Sequence, residues 1–504
     1  MKSLFWQLRH QDHTAAQGSP IAFKAEDCKD NLLQGKFTTA ALAAHFLITI
    51  LDGSSYATTC PSCCLPVALD DTPAITSGCS LISGQSGFLE THVDTSEAVS
   101  LNDRLSQGLT KVRDLLHVGG HGRFDFYSAS KRLDNLHSLP GLTIQPAASM
   151  KLGSWGDAKF EGRLTQEDLR GRQSAQARLL EGYINLYFGS VDFRIGKQNV
   201  VWGRADALSP TDVLTPKDFT LLSARDEEER RTGTVAIKSN YYSGQYTFSV
   251  IWLPLFNPST VPLEIPSGIS VTEDKHSRGS WSDQGFGIKL DKTGGAIDWS
   301  ISYYHGRDVL PVGRPISASH VELVHNRLNV FGADFSRNFG PYGVRGEFAY
   351  IHTQDFSGGS SLVKNPFLMY VFGADRNITE DINLNLQFYQ KFIVNFHDPF
   401  RIQNPVERAV ATLNDTLNQQ LDPFQGGITG RLKASWWNKT LDLEVLAILN
   451  LPRKDFFLRP SIAYALTDTW KVFFGWDIFN GQRDSFFGRL QPMTGGFVEV
   501  RYTF

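Results

Sequence analysis

Cysteine is scarce in this chain, and what there is sits at one end. All five cysteines (Cys28, Cys60, Cys63, Cys64 and Cys79) precede residue 80, and the 425 residues that follow hold none. A body free of thiols suits export, although a cytosolic chain can share that feature. Long hydrophobic runs are also missing. No stretch of eighteen apolar residues occurs beyond the amino-terminal region, which excludes a helical membrane protein. It does not exclude a transmembrane barrel, whose strands alternate and so escape a hydropathy window. Nor does charge of one sign dominate. The net charge is −3 and the pI is near 6.5, so there is no basic footprint for nucleic acid.

Motifs of catalysis and metal binding are equally thin. Cys60-Pro-Ser-Cys63-Cys64 contains a CxxC, which suits a local disulfide, a redox pair or two metal ligands. No second CxxC or histidine cluster lies near it, and no CxxCH marks a covalent haem. No GxSxG nucleophile elbow is present. Val118-Gly119-Gly120-His121-Gly122 leads into a strand and not a helix, so it is a poor nucleotide cradle. His117 and His121 share a strand face, with no acid to complete a metal site. The chain reads as a non-enzyme with no cofactor and no metal. A barrel hydrolase with its triad on outward or rim positions is the least favoured reading.

What the chain does have is aromatic residues and glycine: Phe 35, Tyr 15, Trp 10 and Gly 44. From residue 117 onward its polarity alternates with period two. Tyr246, Phe248, Val250 and Trp252 form one face of a strand. Ile382, Leu384, Leu386 and Phe388 oppose Asn383, Asn385, Gln387 and Tyr389. Trp470, Val472, Phe474, Trp476 and Ile478 oppose Lys471 and Asp477. One apolar and one polar face, repeated, is the signal of a membrane barrel, although each segment alone is weak. The pattern predicts eighteen strands (sixteen at the least), at 117–128, 141–152, 156–166, 178–188, 190–200, 231–241, 244–254, 283–292, 295–306, 327–337, 341–353, 365–375, 380–394, 425–436, 439–449, 455–465, 468–478 and 495–504.

Short turns alternate with longer links, of which only 450–454 is brief. This is how periplasmic turns and extracellular loops are sorted in outer-membrane barrels. An even count returns both ends to one side, so the last strand can close on the first and abolish the edges. The fold class is therefore all-β, a transmembrane antiparallel barrel. Eighteen strands imply a water-filled lumen, in which inward charges are solvated and need no partners. Val406, Val410, Leu413 and Leu417 predict a helix in the long link at 395–424.

Residues 1–57 read as a leader. Lys36, the apolar run 38–51 and the small residues after it form a signal peptide over 36–57, with a buried helix as the alternative. Residues 58–116 read as a periplasmic lead-in. It is rich in Ser, Thr, Gly and Asp over 65–98, and then carries Leu101, Leu105, Leu109, Val112 and Leu116 at helical spacing. That helix suits a periplasmic cap or, less well, a docking site for a partner. Residues 117–504 are the barrel.

The link at 201–230, with the residue after it, holds Arg204, Asp206, Asp212, Lys217, Asp218, Arg225, Asp226, Glu227, Glu228, Glu229, Arg230 and Arg231. Opposed charges across a constriction orient a polar solute and set ion preference. A solvated surface loop with a turn at Ser209-Pro210 is the alternative. Arg194, Arg431, Lys433, Glu499 and Arg501 fall on polar strand faces and are expected to be lumen charges.

Two stretches carry a resemblance. Val498, Val500, Tyr502 and Phe504 place apolar or aromatic residues at the last, third, fifth and seventh positions from the carboxy-terminus. This resembles the terminal signature of Gram-negative outer-membrane barrels, and implies that Val500, Tyr502 and Phe504 are read by the barrel-assembly machinery. Gly196-Lys197-Gln198, Trp202-Gly203 and Ser209-Pro210-Thr211-Asp212-Val213, with Trp252-Leu253-Pro254 and Asn257-Pro258-Ser259, resemble a family of large porin-like outer-membrane barrels of unassigned substrate. That family is distantly like alginate-export and phosphate- or sugar-selective porins, and the resemblance covers about 117–504. It implies a channel in the outer membrane of a Gram-negative cell, reached by Sec-type export, for passive diffusion or export of small polar solutes. By likeness to general porins, the third long loop would fold into the lumen. The rival reading is a scaffold barrel docking a periplasmic partner such as a cytochrome or exporter, motivated by Cys60, Cys63 and the 101–116 helix.

Overall fold

The computed structural model describes residues 116–129, 138–169, 172–206, 208–220, 227–261, 268–274, 283–355, 357, 359–360 and 362–504. The expected signal peptide, the cysteines and the expected 101–116 helix, apart from Leu116, which begins a strand, lie outside the described residues.

The described chain runs through β1 (Leu116–Ser128), β2 (Ser138–Lys151), β3 (Gly156–Leu169), β4 (Arg172–Phe188), β5 (Val191–Gln198), β6 (Thr234–Ser243) and β7 (Tyr246–Leu253). It continues through β8 (Ser270–Glu273), β9 (Gly285–Lys292), β10 (Asp298–Arg307), β11 (Val312–Ser317), β12 (His320–Val324), β13 (Arg327–Phe339) and β14 (Tyr342–Thr353). The last are β15 (Phe367–Asn377), β16 (Ile382–Ile393), β17 (Phe424–Trp436), β18 (Leu441–Asn450), β19 (Asp455–Ala465), β20 (Trp470–Asn480) and β21 (Gly495–Thr503). All but β8, β11 and β12 form one eighteen-stranded sheet in which each strand pairs antiparallel with its neighbour. β21 closes it on β1, from His121↔Thr503 to Ser128↔Gly496. No barrel strand is left with an unpaired edge, which is what a hydrocarbon surrounding demands of backbone polar groups.

The alternation read from the sequence sets the two faces. Outward positions keep large apolar side chains exposed, among them Phe124, Phe160, Phe248, Ile301, Phe372, Leu386 and Phe474. Such a face suits lipid, where exposed apolar side chains carry no cost. Exposed aromatics gather at the short-turn end: Trp155, Tyr242, Phe339, Tyr342, Trp437 and Trp470. Their amphipathic rings suit the headgroup layer. Inward positions carry the polar partners, such as Asn385 and Gln387 on β16 and Glu499 and Arg501 on β21.

Each expected strand is found, with ends shifted by a few residues. The largest shift corrects a loop. The link expected at 167–177 is only residues 170–171, because β3 and β4 continue their ladder out to Leu169↔Arg172. That stretch is polar on both faces, so it shows no period two, yet ladder hydrogen bonds do not need an apolar face. The three short strands were not expected. They form a separate sheet in the long links, with β12 between antiparallel β11 and parallel β8. The helix Pro405–Leu417 lies where the sequence placed it, capped by the Asn404 side chain. Its Asn414 accepts from the Gly313 amide at 2.6 Å and donates to the Gly313 carbonyl at 3.0 Å, tying the helix to β11.

Candidate functional site

Between β5 and β6 the chain leaves the wall for residues 199–233. Gln198, the last residue of β5, is fully buried, and its side-chain amide donates to the Ala236 carbonyl at 3.0 Å. The start of the excursion is then stitched to its middle. The Val200 amide donates to the Thr215 hydroxyl at 2.8 Å, and that hydroxyl donates to the Val200 carbonyl at 2.9 Å. Val200, Trp202 and Leu214 pack against inward residues of the wall: Ala236, Ile251, Leu253, Tyr304, Leu328, Val330, Ala349, Ile351, Phe367 and Ile393. Burying a side chain such as Leu214 stabilises this arrangement by about 2 kcal/mol. The expectation of a lumen filled only with water therefore needs correction, because part of the interior is an apolar core made with the loop.

The loop turns sharply at Gly203, whose φ is +95°. A Cβ there would lie 2.4 Å from both Glu347 Oε1 and Ser209 Oγ, so only glycine fits. Glu347, on the inward face of β14, is almost fully buried. It accepts from the Arg204 and Ala205 amides, from the Ser209 hydroxyl at 2.8 Å and from the Thr211 hydroxyl at 3.2 Å. A carboxylate with this many donors fixes the turn to the wall.

The charged residues of the loop reach several walls. Arg204 donates from Nε to Asp334 on β13 at 2.5 Å and lies 3.7 Å from Asp291 on β9. Asp206 accepts from Asn385 on β16 at 2.9 Å and faces Arg431 on β17 at 3.8 Å. Asp218 pairs with Arg178 on β4. Glu229 accepts from Arg123 on β1 at 3.1 Å and from Arg501 on β21 at 3.0 Å, and its carbonyl accepts from Arg163 on β3 at 2.7 Å. The excursion therefore lies inside the barrel and touches opposite walls. Arg123, Asp334 and Glu347 were missed as site residues. Glu229 stood in the loop's charged run, but nothing local marked it or its strand partners.

Other expected residues sit differently. The Asp212 side chain is enclosed by Arg231 at 2.9 Å and Lys217 at 3.3 Å, so it braces the loop internally. Arg230 offers its carbonyl to the Asp218 amide at 2.7 Å. Glu227 begins a short helix, Glu227–Arg230. Arg225 and Asp226 lie outside the described residues.

The inward strand charges are mostly paired. Arg431 and Lys433 share Glu444 at 3.4 and 3.8 Å, and Arg501 holds Glu499 at 2.8 Å. Arg459 and Asp477 form a buried pair. The expectation that such charges need no partners fails for a physical reason. Arg459, Asp477 and Glu499 are buried, and a buried charge must be neutralised, whereas Lys433 and Glu444 stay partly exposed. At the terminus, Phe504 continues the seam. Its amide donates to the Gly120 carbonyl at 3.1 Å, and its carbonyl accepts from the Gly120 amide at 3.0 Å. Tyr502 packs at a tilt against Trp470, with ring centres 4.8 Å apart, and Val500 pairs with Phe124.

No family model and no curated protein matches the chain. Solved structures are similar in outline. Salmonella typhi OmpF in complex with daunomycin aligns with a TM-score of 0.39 at 10 % identity, over 77 % of this chain and 97 % of that one. A triple mutant of the Rhodopseudomonas blastica porin gives 0.37 at 11 %, over 77 % and 100 %. A loop L8 deletion mutant of OmpT, an outer membrane protein of Vibrio cholerae, gives 0.37 at 10 %, over 77 % and 99 %. Scores this low carry no argument about activity, and the fold rests on its own ladders. Those ladders make the chain a closed antiparallel β-barrel of eighteen strands with an apolar outer face.

Proposed function

We propose that this barrel is an outer-membrane channel through which small polar solutes pass by diffusion, with residues 199–233 as its constriction. The observation that carries the reading is the placement of charge across the lumen. Glu229 is held at the β1–β21 wall, while Arg204 and Asp206 are held at β13, β16 and β17. A loop fixed at both sides narrows the path to polar groups that can replace part of a solute's hydration. The apolar outer face and the aromatic residues at the short-turn end support an outer-membrane location, with the short turns on the periplasmic side. The carboxy-terminal Phe504, Tyr502 and Val500 support delivery by barrel-assembly machinery.

Purified, heat-modifiable protein in planar lipid bilayers tests this. Discrete conductance steps are expected. Their absence from well-folded protein would remove the channel reading.

A further inference from the structure

We propose that Arg194 and Lys238 form a binding subsite for a small oxyanion on the inner wall, in the half of the barrel nearer the short turns. The inference rests on the channel reading for its role in transport, but the site is defined by the wall alone.

Arg194 on β5 and Lys238 on β6 are direct partners in the ladder. Like charges placed opposite each other on one sheet face are destabilising. Asp192 and Asp291 act on Lys238 only from beyond salt-bridge distance, and Lys289 adds a further positive charge. The partner of Arg194 on the other side is Asn185, and the partner of Lys238 on the other side is Ile251. Arg194 donates from Nε to Asn185 Oδ1 at 2.8 Å and lies over the Tyr183 ring at 4.3 Å. Asp192 is the nearest acid along β5, and its carboxylate accepts from the Tyr242 hydroxyl at 2.5 Å. Among the described residues neither cation has a carboxylate within salt-bridge distance, whereas Lys159, Lys289, Arg345, Arg459 and Lys471 each have one. Arg163 also has none, but Gln145 and the Glu229 carbonyl accept from it.

A cavity of about 100 Å³ opens beside the pair, lined by Asn185, Asp192, Arg194, Lys238 and Asn240. The remaining guanidinium donors and the ammonium suit the oxygens of a tetrahedral or carboxylate anion, and Asn185 and Asn240 supply neutral polar edges. The guanidinium already held by Asn185 is oriented before the anion arrives, which reduces the entropy lost on binding. Asp192 also lines the cavity, so the site admits only a small anion that stays on the basic side.

Sulfate is a suitable probe because it stays fully ionised across the working pH range. The test is equilibrium dialysis of labelled sulfate against the folded barrel in detergent, alongside bilayer recordings. Saturable binding is expected, weakened at least tenfold by Lys238→Gln and by Arg194→Gln, restored by Lys238→Arg, and unchanged by Lys471→Gln on β20. In bilayers, sulfate should reduce chloride current through the wild type and not through Lys238→Gln. No saturable binding, or equal binding by folded Lys238→Gln and Arg194→Gln, would overturn the site. Binding without any conductance would instead overturn the channel reading and leave the site standing.

Discussion

Arg123 and Arg501 stand directly opposite each other across the β1–β21 seam, and one carboxylate from the inserted loop, Glu229, accepts a hydrogen bond from each. Asp125 and Glu499 are likewise opposite, each paired along its own strand with an arginine at 3.4 and 2.8 Å. The seam that closes the barrel is thus the point where like charges meet, and the loop supplies the charge that reconciles them.

Glu229→Gln should loosen the seam. Hydrogen bonds to charged groups contribute about 1.5–3 kcal/mol each, so the folded form should lose heat resistance in detergent gels. A double-mutant cycle with Arg501→Gln should show strong coupling. Unchanged heat resistance in the single variant would mean the contact is idle.

Asp206 and Asp212 should behave differently, although both are loop acids. The Asp206 side chain is about one third exposed at 33 %, and the Asp212 side chain is 0 % exposed. Asp206→Lys should move the reversal potential in a salt gradient toward anions while conductance stays near wild type. Asp212→Lys removes an internal brace, so larger and more variable conductance is expected. Identical selectivity shifts in both would contradict the geometry.

Gly203→Ala should release the turn from Glu347. The new Cβ meets two oxygens at 2.4 Å on a backbone that side chains avoid, a strain of roughly 1–3 kcal/mol. Trp202 fluorescence should shift to the red as its packing opens. A Trp202 spectrum identical to wild type would count against this account.

The helix Pro405–Leu417 should be pH-sensitive. Burial pushes the Asp415 carboxyl up to about 7, helped by Asp398 and opposed by Arg489 and Lys391. The folded state prefers the neutral acid, so this contribution is present at acid pH and is lost as pH rises through about 7. Hydrogen exchange over 405–417 should be slower at pH 5.5 than at pH 8.5, after correction for intrinsic rates. Asp415→Asn should abolish the difference.

Deleting Phe504 removes two backbone hydrogen bonds to Gly120 at the seam. Slower appearance of the heat-modifiable form during refolding into lipid is expected. Wild-type kinetics would remove the special role of the terminus.

By itself the sequence determined the wall. Eighteen strands, their order and the side that each residue faces follow from period-two alternation, and this signal is local: Phe388 and its neighbour Tyr389 report their faces without reference to anything distant. Where the alternation lapses, as at 167–177 or in β8, β11 and β12, the strands could not be read. The helix at Pro405–Leu417 was legible for the same local reason, from Val406, Val410, Leu413 and Leu417. Only the tertiary structure decided what the loop does. Glu229 meets Arg501 across 272 residues of chain, and Arg204 meets Asp334 across 130. Composition cannot tell such a carboxylate from one in a solvated run. The same holds for Arg194 and Lys238, which have no carboxylate at salt-bridge distance among the described residues, a property of register fixed only when β5 and β6 lie side by side.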